Sequence, residues 1–373
     1  MRLLMSPTYD VVVAGGGPAG AATALRLARA GHTVAVLERS HFEHPRVGET
    51  LAPSIQPLLR TLGLWSRFVA AGHLPSWGTR SLWSGAGEHS HLTSAYGSGW
   101  HVDRRTFDRM LFDAAGDAGA STCLGCSLSS CSYDGMWQLT CSDGGRLTAR
   151  VLIDATGRSA AVGRSLGARR IPFDRLVGIT ARWSGVDVTD EHYLLIEAAA
   201  HGWWYTAPLA HNAMIAMLIT DADICRRHHL SSPMAWTTDL NQTSATSARL
   251  HHKIAGVASS PRVCSAASQR LIRSRDLRPW LTVGDAALAV DPISGSGVPR
   301  ALRTAEAAAE TATRLLSHPS DAADLITQYE SDRNTECTTY LTTRASYYNA
   351  AAHHPTPFWT RRRTPVPRVV EYG

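Results

Sequence analysis

"YDVVVAGGGPAGAATALRLARAGHTVAVLER", residues 9–39, decides the fold. Its first third is an unbroken apolar run ending in glycines, the pattern of a strand covered on both faces. "PAGAATALRLARAG" then places apolar residues at helical spacing and stops at Gly31. "TVAVLER" is a second buried strand, so the stretch is a strand–helix–strand unit of about 30 residues. Its turn reads Gly15-x-Gly17-x-x-Gly20. One glycine turns the chain, one lets backbone reach a pyrophosphate, and one lets helix meet strand. Gly15, Gly17, Pro18, Ala19 and Gly20 therefore form a phosphate turn at a helix N-terminus, whose free amides and dipole favour an anion. Glu38 closes the second strand 18 residues after Gly20, where a carboxylate accepts both hydroxyls of an adenosine ribose.

A second strand–loop–helix unit arrives late, as "LTVGDAALAVDPISGSGVPRALRTAEAAAETATRLL" (281–316). Asp285 can meet the ribityl hydroxyls of a flavin, and "PISGSGV" offers backbone amides to the electron-rich edge of a reduced isoalloxazine. A nicotinamide dinucleotide has no such second attachment, so the expected cofactor is FAD. Between these units, "VLIDATGR" (151–158) is another strand, and "HYLLIEAAA", "GWWYTAPLA" and "NAMIAMLIT" are consecutive strand candidates. The layout predicts an α/β protein: a Rossmann-like FAD-binding domain with an inserted β-sheet substrate domain. Residues 8–80, 100–168 and 270–317 fall to the cofactor domain, and 81–99 and 169–269 to the β-rich one. Residues 318–373 read as a helical region with a basic tail, "TRRRTPVPR" (360–368).

The chain's 373 residues, 44% hydrophobic and 18% charged, suffice for both domains and match a globular protein. No apolar run approaches the length of a spanning helix and "MRLLMSPTYD" lacks a signal-peptide core, so a cytoplasmic protein without membrane contact is expected. The net charge of +6 comes from scattered arginines, Lys253 being the sole lysine among 37 basic residues, which argues against nucleic-acid binding. Four of seven cysteines lie in "CLGCSLSSCSYDGMWQLTC" (123–141). Without a second pair or histidines at ligand spacing they read as minor core positions, and no metal is expected.

The order GxGxxG and Glu38, "GETL" (48–51), "WHVDRRTFDRML" (100–111), "IDATGRS" (153–159) and "GDAALAVDPISGSGV" (284–298) resembles the FAD-dependent monooxygenase and halogenase superfamily. That likeness implies the glutathione-reductase-type flavoprotein monooxygenase fold and a flavin hydroperoxide as oxidant. It also implies FAD contacts from Arg39, Arg46, Arg104 and Asp285, with Gly295, Gly297 and Val298 at the flavin ring. Thr156 stands where simple hydroxylases usually carry an aspartate that aids their own reduction. This resembles the halogenase branch, whose members often depend on a separate flavin reductase or external reductant. "GWWYTAP" (202–208) is a degraded halogenase "GWxWxIP". Yet residues 49–100 hold no lysine, the amine that captures hypohalous acid in that branch, and arginine is effectively never neutral enough to replace it.

Hydroxylation of an aromatic, indole-like substrate is then expected. "RVGETLAPS", "AGHLPSWGTRSLW" and "GWHVDRRTFDRML" look closest to flavoproteins that modify a tryptophan of a partner protein during quinone-cofactor biogenesis. Small or carrier-tethered aromatics are the alternative substrates. A halogenase-like enzyme, a geranyl-reductase-type enzyme and a non-catalytic flavin-binding maturation chaperone are the rival functions.

Three residues are candidates at the chemistry. Glu49 either positions water or shuttles a proton near the flavin, or else caps the helix starting near Pro53 or bonds a backbone amide beside the flavin. Pro292 would shape the oxygen pocket by excluding water. On the strand "GWWYTAP", alternation sends Trp203 and Tyr205 to one face and Trp204 to the other, so Trp203 can wall an aromatic pocket with Trp77, Trp83 and Trp100. His101 reads as a hydrogen-bonded core residue, and His73 and His201 have weaker claims still.

Overall fold

The computed structural model describes residues 7–253, 259–274, 277–351 and 354–363. The Thr8–Ala14 strand pairs in parallel with Val34–Glu38 on one side and Arg146–Asp154 on the other. Val11, Val12 and Val13 are fully buried, because helices cover one face of this sheet and a second apolar layer around Trp137 and Trp280 covers the other. The complete sheet runs Ser121–Leu124, Val34–Glu38, Thr8–Ala14, Arg146–Asp154, Met136–Cys141, Leu128–Asp134, with Trp280–Thr282 also paired to Arg146–Asp154. Pro18 begins the Pro18–Arg29 helix, a position where its missing N–H costs nothing, and Gly31 follows the helix at φ 86°.

The second large sheet has the order Arg262–Ser265, Leu176–Ser184, Ala213–Asp221, Gly202–Leu209, Tyr193–Ala199, Gly78–Leu82, Ala86–Ser90. Its strand Gly78–Leu82 lies parallel to Tyr193–Ala199, so this sheet begins inside the stretch assigned from sequence to the cofactor domain. Trp203 pairs with Ile219 and Trp204 with Leu218, the register that places the two indoles on opposite faces. All eight residues of Gly202–Leu209 are buried, so both faces of the strand are covered.

The Ala322–Ala350 helix, 29 residues and about 44 Å long, ties the two sheets together. Near its start the Tyr329 hydroxyl donates to the Thr282 carbonyl at 2.7 Å, and near its end the Tyr348 hydroxyl donates to Asp291 at 2.7 Å. The basic tail is anchored where it is described. Arg361 pairs with Asp223 at 2.7 Å and Arg362 with Asp221 at 2.6 Å. Residues 364–368 of that stretch lie outside the described residues. Among the described residues no helix is long and apolar enough to cross a membrane.

Candidate active site

The three glycines of the first turn do different work. A Cβ on Gly15 would lie 2.2 Å from the Ala155 carbonyl oxygen, and one on Gly20 would lie 1.9 Å from the Gly15 carbonyl oxygen. Both positions hold strand and helix together. A Cβ on Gly17 would meet nothing within 4 Å, so the space before the helix N-terminus is open, as an incoming pyrophosphate requires. Pro18 and Ala19 start the helix behind it. Glu38 is buried at the strand end, its Oε2 accepting from the Gly16 amide at 2.8 Å and its Oε1 from the Ser40 amide and hydroxyl.

Arg46 and Arg104 converge on one acid. Arg104 holds Asp108 through two bonds of 2.9 and 3.1 Å, Arg46 reaches it at 2.9 Å, and Asp108 is fully buried. The pair thereby braces the Gly48–Glu49 segment, since Arg104 also donates to the Val47 carbonyl at 2.6 Å. Arg39 is exposed beyond the strand end. Asp285 follows Gly284, which sits at φ 61°, and lies 3.4 Å from Arg158. Arg158 in turn donates to the Val290 carbonyl at 2.7 Å, joining "DATGRS" to the flavin loop. Thr156 caps its own turn: its hydroxyl donates to Asp154 at 2.6 Å and accepts from the Ala161 amide at 2.7 Å. Added Cβ atoms on Gly295 and Gly297 would meet nothing within 4 Å, so the start of the Gly297–Ser317 helix, with Val298 in its first turn, is also open. Two open helix N-termini that offer amides, with Glu38 and Asp285 as carboxylate acceptors for hydroxyls, make a set that fits FAD.

Glu49 is fully buried at the seam between the sheets. Its Oε1 accepts from Arg182 of the Leu176–Ser184 strand at 2.6 Å and its Oε2 from the Gly48 amide at 2.8 Å. Glu49 thus bonds a backbone amide and makes an ion pair across the domains. Burial pushes its carboxyl above the ordinary range, against the pull of the Arg182 guanidinium. Beside it, the Thr50 hydroxyl lies 3.0 Å from His101 Nδ1 and 3.3 Å from the Tyr205 hydroxyl. Burial drives His101 down to about 3, so its ring is neutral at physiological pH.

The Trp203 indole N–H donates to the Tyr348 hydroxyl at 3.1 Å, which donates to Asp291. Asp291 immediately precedes Pro292, and its amide donates to the Tyr340 hydroxyl at 2.7 Å. Trp203 is therefore coupled to the flavin loop. Trp83 joins it, edge-on at 6.0 Å. Two other proposed wall residues do not. Trp100 packs on Phe68 at 5.4 Å in the core of the cofactor domain, and the half-exposed Trp77 stacks on His192 at 3.7 Å. Trp204 points the other way, donating to Asp239 at 3.2 Å and packing edge-on against Trp236 at 4.9 Å. His201 bonds Asp239 at 2.6 Å on that far face, and His73 packs on Phe68 at 4.7 Å. Sequence reasoning missed Arg182, Tyr340 and Tyr348, which only the pairing of distant segments brings to the site.

The sequence profile of a family described as an FAD binding domain matches residues 8–342. The chain belongs to that family. This flavoprotein is 33% identical over 371 residues to LodB of Marinomonas mediterranea, named as an FAD-dependent oxidoreductase, covering 95% of this chain and 97% of LodB. Its fold is similar to that of CmlS, a flavin-dependent halogenase, with a TM-score of 0.84 at 23% identity over 99% of this chain and 70% of CmlS. It is also similar to QhpG, a peptidyl tryptophan dihydroxylase of tryptophylquinone cofactor biogenesis, with a TM-score of 0.72 at 24% identity over 95% of this chain and 79% of QhpG. The flavoprotein is an FAD-dependent oxidoreductase.

Proposed function

We propose that the flavoprotein hydroxylates an aromatic ring, in the first instance an indole side chain of a tryptophan presented by a partner protein. The observation that supports oxygen over halide transfer is the cation set at the seam. Glu49 faces Arg182 and Arg104, and residues 49–100 hold no lysine to relay a halide. The sole lysine, Lys253, ends the Ala245–Lys253 helix, an element remote in sequence from Glu49. A halogenating reading is favoured by the name of CmlS, and a tryptophan substrate by that of QhpG.

FAD, reduced by a separate reductase or external reductant, would supply the activation of dioxygen. The protein's own residues do the rest. Gly17, Glu38 and Asp285 would hold the cofactor, and the amides near Gly295 and Gly297 would face its ring. Tyr348 and Asp291 fix the position of Pro292, which keeps water from the reacting face. Glu49, held high by burial, is placed to keep or pass a proton at its carboxylate. One oxygen atom enters the ring and the other leaves as water.

Reduced protein, FAD and a tryptophan-bearing peptide in air should give a product heavier by one or two oxygen atoms. Adding bromide should leave that mass unchanged. The paired isotope peaks of a brominated product would overturn hydroxylation, and a stable complex without mass change would favour the chaperone reading.

A further inference from the structure

We propose that Cys123, Cys126, Cys141 and Asp143 form a site for a thiophilic divalent cation of the zinc class. The sulfurs of Cys123 and Cys126 and a carboxylate oxygen of Asp143 all lie within 4.8 Å of one another. The Cys141 thiol lies beside that of Cys126, outside this group of three, and can complete the set as a fourth ligand. Two turns deliver them. Cys123 and Cys126 flank a turn with Gly125 at φ 67°. Cys141 and Asp143 share a second turn, closed by the Gly144 amide donating to the Cys141 carbonyl at 3.0 Å, with Gly144 at φ 87°. The Ser142 amide donates to the Ser127 carbonyl at 2.8 Å, lacing the turns face to face across the hairpin of Leu128–Asp134 and Met136–Cys141.

Such paired turns present ligands from two directions, as a tetrahedral ion requires. Metal–sulfur bonds of about 2.3 Å place ligand atoms about 3.7 Å apart, so Cys123, Cys126 and Asp143 need to contract by about an ångström at most. Cys126 and Cys141 are buried and Asp143 is exposed, which leaves one side for entry of the ion. The site touches the cofactor domain directly. Cys123 pairs with Leu37 in the sheet, and the Cys126 amide donates to the Glu38 carbonyl at 3.0 Å. A bound ion would therefore brace the strand end that carries the ribose acid, a consequence that rests on the FAD reading while the site itself does not.

The test is metal stoichiometry on the full-length holoprotein, reduced and dialysed. Zinc should bind at about one equivalent per chain, and cobalt(II) should give tetrahedral bands at wavelengths beyond the flavin's absorption that zinc then removes. Asp143→Ala should weaken zinc at least tenfold, and Cys126→Ser with Cys141→Ser should bring it below about a tenth of an equivalent. Wild-type protein that binds neither ion, or that carries a Cys123–Cys126 disulfide when purified natively, would overturn the proposal. That titration needs no variant and no turnover, so its failure is separate from failure of the hydroxylase reading.

Discussion

At the scale of single residues, His101 shows how burial turns an ordinary side chain into a pH-sensitive element. Its folded value of about 3 lies below the ordinary 6.5. The unfolded chain therefore takes up a proton between those values while the folded chain does not. The stability this supports is fully present above about pH 6.5 and is lost as pH falls, by about 1.4 kcal/mol per unit. Urea unfolding at pH 7 and pH 5 should show that loss, and His101→Gln should flatten it. The double tryptophan divides in the same way. Trp204→Ala should cost roughly 3–5 kcal/mol, because Trp236 and Asp239 enclose the ring. Trp203→Phe keeps a ring but loses the N–H to Tyr348 and part of the indole's buried volume, so it should cost about 2–3 kcal/mol in stability, lower turnover and leave FAD bound. Equal structural damage from both changes would remove Trp203 from the site.

At the scale of elements, the phosphate turn was legible because glycine spacing there answers to backbone sterics alone. Gly17→Val should leave the fold stable, since an added Cβ meets nothing, and should abolish FAD binding as read by flavin fluorescence. Gly20→Val should instead prevent folding, because that Cβ would strike the Gly15 carbonyl. Retained flavin in the Gly17 variant would refute the assigned turn. The Gly202–Leu209 strand was legible in its alternation but not in its cover, since nothing local announces which elements lie on each face. The long C-terminal helix was legible only as a helix. Beside Leu325, Ile326, Cys337 and Leu341, its buried face carries Tyr329, Tyr340, Arg344 and Tyr348, residues that read as polar until their hydroxyl and guanidinium partners are known. Several threonines on it, such as Thr338 and Thr342, return their hydroxyls to the preceding turn, which further blurs its amphipathic pattern.

At the scale of the whole molecule, the two domains meet at Glu49–Arg182 and are strapped by that helix. Tyr348→Phe breaks the strap where it touches the flavin loop, by removing the hydroxyl between Trp203 and Asp291. The expected result is a loss of about 1–3 kcal/mol in stability, read by denaturant melts, with a fall in kcat larger than any change in KM. Unchanged kcat would mean that the strap is purely structural. The interleaving of the two domains has one more consequence. The phosphate turn lies at residues 15–20 and the flavin loop at 292–298, with the whole second sheet encoded between them. A ribosome thus writes the adenosine half of the cleft first and the isoalloxazine half last. Cofactor held by both ends would therefore meet a complete site only after the inserted sheet has been synthesised.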